Sequence, residues 1–262
     1  QETGDLECNM IDTHCHIDFE DFDSDREEVI QRAKDNLDHV IVSGYSNDSN
    51  MKVLKLSKDN EGFIYPTFGF HPVSSQNATQ EDIKIAHENV RKYIDDIVAI
   101  GEVGMDYFYV SDKDLRERQE EIFRGFLDLA NEYKVPIVMH VRDCEKKAVN
   151  IIEDYEDIPY FVFHCYGGIL KTAKRIMNRG DSYMSFSTML CYSKHHQDLI
   201  EKIDLNYVLT ETDSPYLAMR KEDRNEPVNV MKAVHKIAEI KNMDVASVDE
   251  ITTNNARKIF KI

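Results

Sequence analysis

The sequence predicts an α/β protein with the architecture of a (β/α)8 TIM barrel. Eight short, mostly apolar segments recur along its 262 residues, and helical patterns lie between most of them. The apolar segments contain few polar positions, which is typical of parallel strands that are covered on both sides. The chain length is close to the roughly 250 residues that one such barrel requires. Count, pattern and length therefore agree on a closed parallel sheet surrounded by helices.

The eight predicted strands follow one another along the whole chain. They are 10–17, 39–45, 64–71, 98–105, 136–142, 160–166, 181–187 and 206–213. The clearest helical patterns are 114–134, 145–155, 169–179, 195–203 and 228–242, and a closing pair of helices is predicted over 247–262. No linker or repeat divides the chain, so one domain is expected over 1–262. Residues 1–9 are expected to be a flexible N-terminal extension or residues added in cloning.

The bulk composition excludes several classes of protein. With 42% hydrophobic and 31% charged residues, the chain is not expected to be disordered. No apolar run reaches the length of about 18 residues that marks a membrane span, and no signal peptide is visible, so no membrane contact is expected. A net charge of −17 argues against a general electrostatic grip on nucleic acid, so an anionic substrate has to be held locally. No obligate protein partner is evident.

The five cysteines are an odd number and show no paired spacing. This usage favours reduced thiols and a cytoplasmic location over a framework of disulfides. Cys15 and Cys165 stand next to candidate metal ligands. Both are expected to be packing residues that face away from the site, because neighbouring residues of a strand point to opposite faces.

Six residues of metal-ligand type lie at or near the ends of five predicted strands. They are His14, His16, Glu102, His140, His164 and Asp213. In a TIM barrel the C-terminal ends of the strands meet at the active site, so these side chains are expected to converge. Four imidazoles and two carboxylates suit two divalent ions per subunit, with zinc, magnesium, manganese, iron, nickel and cobalt as candidates. The sequence therefore predicts metal-assisted hydrolysis.

The same residues stand in motifs that resemble those of the TatD-type metal-dependent hydrolases, a branch of the amidohydrolase superfamily. The motifs are Asp-Thr-His-Cys-His (12–16), Gly-Phe-His-Pro (69–72), Gly-Glu-Val-Gly-Met-Asp-Tyr (101–107), His-Val-Arg-Asp (140–143), Phe-His-Cys-Tyr-Gly-Gly (163–168) and Glu-Thr-Asp-Ser-Pro-Tyr-Leu (211–217). The resemblance extends over about 10–260. It implies a TIM barrel and a metal-dependent deoxyribonuclease.

The resemblance also assigns the ligands to two ions. The implied sets are His14, His16 and Asp213 for the first ion, His140 and His164 for the second, and Glu102 as the bridge. Glu102 and Asp213 are the predicted catalytic residues. Asp213 is the candidate general base, with a role as a ligand alone as the alternative. Glu211 is expected to hydrogen-bond a ligand or the attacking water, or else to form a salt bridge inside the barrel.

Four further residues are predicted to bind substrate. His71 is expected to reach a substrate phosphate, and Arg142, which shares a strand face with His140, could clamp phosphate through two hydrogen bonds. Tyr107 and Tyr166 are expected on loops, where their rings could stack on a base. The alternatives are packing roles for His71 and the two tyrosines, and a salt bridge for Arg142.

Three functions are compatible with these residues. The leading hypothesis is phosphodiester hydrolysis of DNA, as a 3′-5′ exonuclease on single-stranded ends. The second is a hydrolase of the same superfamily that acts on a lactone, an amide or a small phosphoester, because an activated water attacks carbonyl carbon and phosphorus alike. The third is a binding protein without catalysis. The complete set of six ligands argues against the third.

Overall fold

Eight parallel strands form one sheet in which neighbours in space are neighbours in sequence. The computed structural model describes residues 10–220 and 222–262, so the predicted extension at 1–9 lies outside the described residues. The strands are β1 Ile11–Cys15, β2 His39–Ser43, β3 Ile64–Phe68, β4 Ala99–Asp106, β5 Ile137–Arg142, β6 Phe161–Phe163, β7 Ser182–Phe186 and β8 Val208–Thr210. Because β8 lies beside β1, the sheet curls into a nearly closed barrel. The predicted TIM barrel is confirmed.

The helices alternate with the strands and surround the barrel. Within the described residues they are α1 Arg26–Lys34, α2 Asn47–Asp59, α3 Pro72–Ser75, α4 Gln80–Lys92, α5 Lys113–Tyr133, α6 Glu145–Ile151, α7 Leu170–Arg179, α8 Lys194–Lys202, α9 Val230–Lys241 and α10 Val245–Phe260. Local signals fix several helix starts. The Thr79 side chain accepts from the backbone N–H of Asp82 at α4, and Asp112 accepts from that of Leu115 at α5.

The predicted closing pair of helices is wrong, because residues 245–260 form the single helix α10. Asp244 caps its first turn by accepting from the backbone N–H of Ser247 at 2.7 Å. No proline or glycine interrupts the segment that follows, so nothing breaks the helix. Ala256, Ile259 and Phe260 lie on its buried face.

These three residues of α10 plug the N-terminal end of the barrel. They pack against a layer of apolar side chains to which seven of the eight strands contribute one buried residue each, namely Ile11, Ile41, Ala99, Val138, Val162, Tyr183 and Leu209. Because this layer fills the interior at one end, side chains nearer the C-terminal ends of the strands enclose the remaining space. That space is where the polar residues of the site lie.

A local irregularity in β1 turns its histidines into the barrel. Ile11 belongs to the interior layer, and strict alternation would point His14, three residues later, outwards. The pairing of β1 with β2 shifts register between Asp12 and Cys15, which reverses the alternation. A similar shift in β4 precedes the position from which Glu102 faces the same centre. The two shifts are part of how the site is built.

Asp12 joins β1 to the segment after β8. Its carboxylate is fully buried and accepts from the hydroxyl of Thr212 at 2.6 Å and from the backbone N–H of Thr212 at 2.9 Å. Nearby, the backbone N–H of Asp213 donates to the carbonyl of His14 at 2.9 Å. These bonds close the barrel at the point where ligands from its first and last strands meet.

The thiols and the membrane prediction can be compared with the structure directly. Cys15, Cys144, Cys165 and Cys191 are free. Cys15 is buried in the layer between the barrel and the helices, whereas Cys165 lines a cavity beside the site. The expectation for Cys165 was wrong, because β6 ends at Phe163 and Cys165, with a φ of 46°, lies beyond the alternation of the strand. Across 10–220 and 222–262, no helix has the length and apolar character needed to cross a membrane. The cytoplasmic location stays a prediction.

Candidate metal centre

Glu102 lies at the centre of the predicted ligands, and its two carboxylate oxygens face different imidazoles. Oε2 is 3.4 Å from Nε2 of His14 and 3.2 Å from Nε2 of His16. Oε1 is 2.9 Å from Nδ1 of His140 and 2.9 Å from Nε2 of His164. The structure therefore brings these residues together as two groups of donors with one carboxylate between them.

Asp213 completes the group around His14 and His16. Its Oδ1 is 3.6 Å from Nε2 of each ring. The residue has a φ of 57°, a left-handed conformation that aspartate tolerates better than most residues. Its side chain keeps 16% of its surface exposed, in contrast to the 3% of Glu102, so it faces the cavity as well as the ligands.

Two glycines allow the neighbouring strands to approach β4 closely. A Cβ atom on Gly69 would lie 2.5 Å from the backbone nitrogen and oxygen of Glu102. A Cβ on Gly104 would lie 2.0 Å from the carbonyl oxygen of His140, and its φ of 147° also disfavours other residues. Glycine at these positions lets Glu102 and His140 come within hydrogen-bonding distance of each other.

In three of the histidine rings, the outer nitrogen, which is the one facing away from Glu102, lies within hydrogen-bonding distance of a neighbouring residue. Ser43, at the end of β2, places its hydroxyl 3.1 Å from Nδ1 of His14 and its carbonyl 2.8 Å from Nδ1 of His16. Asp106, at the end of β4, places a carboxylate oxygen 2.8 Å from Nε2 of His140. Such contacts fix the orientation and the tautomer of metal-binding histidines. Nδ1 of His16 and Nε2 of His140 donate, which leaves a lone pair on each inner nitrogen when the rings are neutral.

Glu211 supports His164 in the same way. It is fully buried, and its Oε1 is 3.5 Å from Nδ1 of His164. Its other oxygen accepts a hydrogen bond from the hydroxyl of Ser185. Both Oε1 of Glu211 and Nδ1 of His164 are buried without a closer partner among the described residues. The separation of 3.5 Å is slightly long for a hydrogen bond, and a small shift of the ring would close it.

His71 also reaches the centre, but with the opposite tautomer. The backbone N–H of Val73 donates to its Nδ1 at 3.2 Å, so the proton of the neutral ring is on Nε2. That Nε2 is 3.4 Å from Oε1 of Glu102 and 3.3 Å from Nδ1 of His140. Burial lowers the pKa of His71 to about 3, which keeps the ring neutral. His71 therefore presents an N–H group to the site rather than a lone pair.

The charges of the carboxylates and the imidazoles are interdependent. Burial alone would raise the pKa of Glu102, but the surrounding imidazoles, with His164 the strongest, hold it well below the usual value. Burial likewise opposes the charge on His16, yet the carboxylates of Asp213 and Glu102 raise its pKa to about 10. Burial also opposes ionisation of Asp213, but the surrounding histidines, above all the hydrogen bond with His16, lower its pKa below the usual value. Both carboxylates are ionised at neutral pH.

This set of donors fits divalent metal ions. The inner nitrogens of His14 and His16 are 3.2 Å apart, and those of His140 and His164 are 3.3 Å apart. Two ring nitrogens at such a distance repel unless a proton or a cation lies between them. Borderline divalent ions prefer a mixture of imidazole nitrogen and carboxylate oxygen. Three groups of ligand atoms are compact enough to hold an ion, namely His14, His16 and Glu102, then His14, His164 and Asp213, and finally His71, Glu102 and His140.

A cavity with two lobes opens above these residues. The first lobe measures about 600 Å³ and is lined on its walls by Phe19, Tyr45, Tyr109 and Tyr216. The second lobe measures about 430 Å³. Both volumes lie within the range of roughly 300–1,000 Å³ that is usual for small-molecule sites. The residues that line both lobes are His140, Arg142, His164, Asp213 and Leu217.

The predicted substrate residues fall into two groups. His71 and Arg142 line the first lobe, and the guanidinium of Arg142 lies 3.8 Å from the ring centre of Phe108. Tyr166 is 1% exposed, and its hydroxyl donates to the carbonyl of Ile169 at 2.9 Å, so its predicted role in stacking is wrong. Its ring packs inwards under the loop after β6. Tyr107 lines neither lobe, because the guanidinium of Arg116 covers its ring at 4.3 Å.

Sequence reasoning missed residues of two kinds. Ser43 and Asp106 had a weak signal, because each is a polar residue at the end of an apolar strand. The aromatic walls had none, because loop conformation decides which rings face a cavity. Phe19 and Tyr45 pack with ring centres 4.8 Å apart, and Tyr216 lies 6.0 Å from Phe19.

Comparisons with known proteins agree with this geometry. The family model described as TatD related DNase matches residues 11–261. A protein of Methanocaldococcus jannaschii named an uncharacterized metal-dependent hydrolase is 42% identical over 251 residues, 96% of each chain. A 3′-5′ ssDNA/RNA exonuclease TatD of a Rahnella species is 28% identical over 269 residues, 97% of this chain and 98% of its own.

A solved structure shows the same fold. A TatD homolog from Escherichia coli K12 superposes with a TM-score of 0.89 at 25% identity, covering 98% of this chain and 100% of its own. The family match spans nearly all of the described barrel, and it includes every residue of the metal centre. The chain therefore belongs to the TatD related DNase family and is a metal-dependent hydrolase.

Proposed function

We propose that the protein hydrolyses phosphodiester bonds of DNA as a 3′-5′ exonuclease on single-stranded ends, with two divalent ions per subunit. The observation that carries the proposal is the position of Glu102, whose two oxygens face separate groups of imidazoles at the floor of a cavity with aromatic walls. The names of the family and of the Rahnella relative support the substrate class.

The residues divide between the two ions. His14, His16 and Asp213 would hold the first and His140 and His164 the second, and Glu102, whose oxygens face both groups of imidazoles, would contribute to each. Bound ions supply Lewis acidity toward a phosphoryl oxygen and lower the pKa of a water molecule. The donors of this chain accept zinc, magnesium, manganese, iron, nickel or cobalt, because the mixed set does not favour one of them strongly.

Asp213 is the proposed general base. Its lowered pKa keeps it ionised at neutral pH, and its side chain is the more exposed of the two central carboxylates. It accepts a proton as the water oxygen forms a bond to phosphorus. The bond from phosphorus to the 3′-oxygen of the penultimate nucleotide breaks, and the proton then passes to that oxygen. The products are a 5′-mononucleotide and a strand shortened by one nucleotide.

Two side chains position the phosphate. The Nε2–H of His71 donates to a non-bridging oxygen, since Val73 fixes the tautomer. Arg142 lies where the two lobes meet and brings a positive charge to a site with no other arginine and no lysine among its described lining residues. Together they compensate for the unfavourable net charge of −17.

The test is hydrolysis of a 5′-labelled single-stranded oligonucleotide by protein loaded separately with zinc, magnesium, manganese or cobalt. A ladder that shortens from the 3′ end is expected for the wild type, with loss of activity in Glu102→Gln, in Asp213→Asn and after chelation. The exposed Glu239→Gln on α9 is the control variant and should behave as the wild type. Intact DNA with every metal, together with cleavage of a lactone, an amide or a small phosphoester, would overturn the DNA proposal in favour of the second hypothesis.

A further inference from the structure

The residues that line only the second lobe of the cavity have no part in the chemistry described above. It extends from the metal centre towards the loops after β5, β6 and β7. The residues found only in its lining include Asp143, Glu145, Cys165, Met189 and His196. Because His140, His164 and Asp213 line both lobes, a substrate bond at the metal centre has one part of the substrate in each.

His196 gives the second lobe a built polar contact. The side chain is buried, with the whole residue 8% exposed, and its Nδ1 lies 2.7 Å from the hydroxyl of Ser193. Its Nε2 has no hydrogen-bond partner among the residues 10–220 and 222–262, although it belongs to a residue that lines the lobe. Because the second ring nitrogen makes no bond within the described residues, it is available to hydrogen-bond a ligand in the lobe.

The charges of the two lobes differ, and this difference favours one orientation of a bound strand. Asp143 and Glu145 line the second lobe only, whereas Arg142 lies at the junction. The Glu145 carboxylate is fixed by the backbone N–H of Asp143, which donates to its Oε1 at 3.3 Å. Asp143 is exposed and Glu145 is half-buried, so a phosphate group in the second lobe would meet two carboxylates, whereas a neutral sugar and base would meet a hydrogen-bonding imidazole.

We infer that the second lobe receives the 3′-terminal nucleoside of the strand and excludes a terminal phosphate. The inference rests on the proposed function, and it names the features of the substrate end that the protein recognises. The terminal nucleoside is the one part of a strand with no phosphate beyond it, so it is the part that tolerates Asp143 and Glu145. The rest of the strand, with its phosphates, then lies in the first lobe along the aromatic walls. His196 contacts the sugar or the base of the terminal nucleoside.

The experiment compares two 5′-labelled single strands of identical sequence, one ending in a 3′-hydroxyl and the other in a 3′-phosphate. Wild-type protein should degrade the phosphorylated strand more slowly by at least about tenfold, because like charges at short range in a partly buried site repel. The double variant Asp143→Asn, Glu145→Gln should reduce the ratio of the two rates, that of the hydroxyl-ended strand over that of the phosphate-ended strand, to less than about threefold. Asparagine tolerates the φ of 59° at position 143, and glutamine keeps the shape of glutamate.

A matched control removes the same two charges elsewhere. Glu61→Gln with Glu239→Gln changes two exposed residues outside the cavity lining and should keep the wild-type ratio. His196→Leu should raise KM for the hydroxyl-ended strand by roughly fivefold with kcat nearly unchanged, since one hydrogen bond is lost. A variant that merely fails to fold would lose kcat and metal content as well.

The outcomes separate this inference from the proposed function. If the wild type degrades neither strand with any metal, the proposed function fails. If it degrades both strands equally, the function stands and the inference fails. If it discriminates but the Asp143, Glu145 double variant retains the full ratio, exclusion of phosphate does not come from this lobe, and the assignment is overturned.

Discussion

The neutral tautomer of His71 distinguishes it from the other histidines of the centre. The candidate ligands His16 and His140 donate from their outer nitrogens to acceptors, which leaves lone pairs facing inwards when the rings are neutral. His71 is held by a donor, the N–H of Val73, and so presents a hydrogen to the centre. Its position beside His140 therefore corresponds to a hydrogen-bond donor for substrate and not to a metal ligand.

Replacement of His71 separates these two roles. His71→Ala is expected to lower kcat/KM for single-stranded DNA by about 10- to 100-fold, the loss of one hydrogen bond to a charged group. Metal content measured by mass spectrometry should be unchanged, and His71→Gln, whose amide also donates, should recover part of the activity. A drop in bound metal in His71→Ala would instead identify His71 as a ligand.

His196 makes stability depend on pH. Burial lowers its pKa to about 4, whereas the ordinary value is 6.5. Below pH 6.5 the unfolded chain takes up a proton that the folded protein refuses until about pH 4. The free energy of unfolding is therefore not reduced by His196 above pH 6.5, and it decreases as the pH falls from 6.5 towards 4.

We expect His196 to lower the free energy of unfolding by at most about 2 kcal/mol when the pH falls from 7 to 5. The measurement is urea unfolding of the wild type and of His196→Gln at both values of pH. Other titrating groups contribute equally to the two proteins, so the change with pH should be smaller in the variant. Equal changes in the two proteins would show that His196 takes up a proton as easily when folded as when unfolded.

At the level of elements, all eight strands could be predicted from the sequence, and so could five of the helices. Apolar runs at even intervals leave few alternatives for the strands. The helices α1, α2, α3 and α4 were not singled out, and α10 was predicted as two, since helix boundaries depend on caps such as Asp244 as much as on periodicity. The register shift in β1 could not be predicted, because alternation is broken by backbone pairing and not by any residue type.

The join between β1 and the segment after β8 is the element that holds the two ends of the centre together. Asp12→Ala should lower the free energy of unfolding by roughly 2–4 kcal/mol, because it leaves the buried N–H of Thr212 without its acceptor and removes the hydrogen bond that the Thr212 hydroxyl makes to the carboxylate. Asp12→Asn keeps one acceptor oxygen and should cost less. Urea unfolding of the two variants tests this order, and an Asp12→Ala protein as stable as the wild type would show that the join contributes little.

At the level of the whole molecule, the convergence of the six candidate ligand residues could be predicted because one geometric rule gathers strand ends in a barrel. The cavity walls could not. Tyr107 and Tyr109 differ by two positions on one loop, yet only Tyr109 lines the cavity. Such differences depend on the conformation of the loop. That conformation depends in turn on contacts such as the one between Arg116 and Tyr107, which cannot be predicted from the sequence.

The acidic surface predicts an unusual response to salt. With a net charge of −17 and Arg142 as the basic residue in the described lining of the cavity, few counterions are released when a strand binds. KM for single-stranded DNA should rise by only about two- to threefold between 50 and 200 mM salt, as expected for a single phosphate contact. Arg142→Gln should remove most of this dependence. A steep rise in KM with salt in the wild type would point to a basic surface outside the cavity.

The plug formed by α10 gives the barrel a blind end. Ala256, Ile259 and Phe260 fill the interior on the side opposite to the metal centre, so nothing passes through the barrel from one face to the other. Substrate, water and product all exchange through the same mouth. A product that stays in the cavity therefore occupies the route by which the next substrate arrives, and the rate of its departure sets an upper limit on turnover.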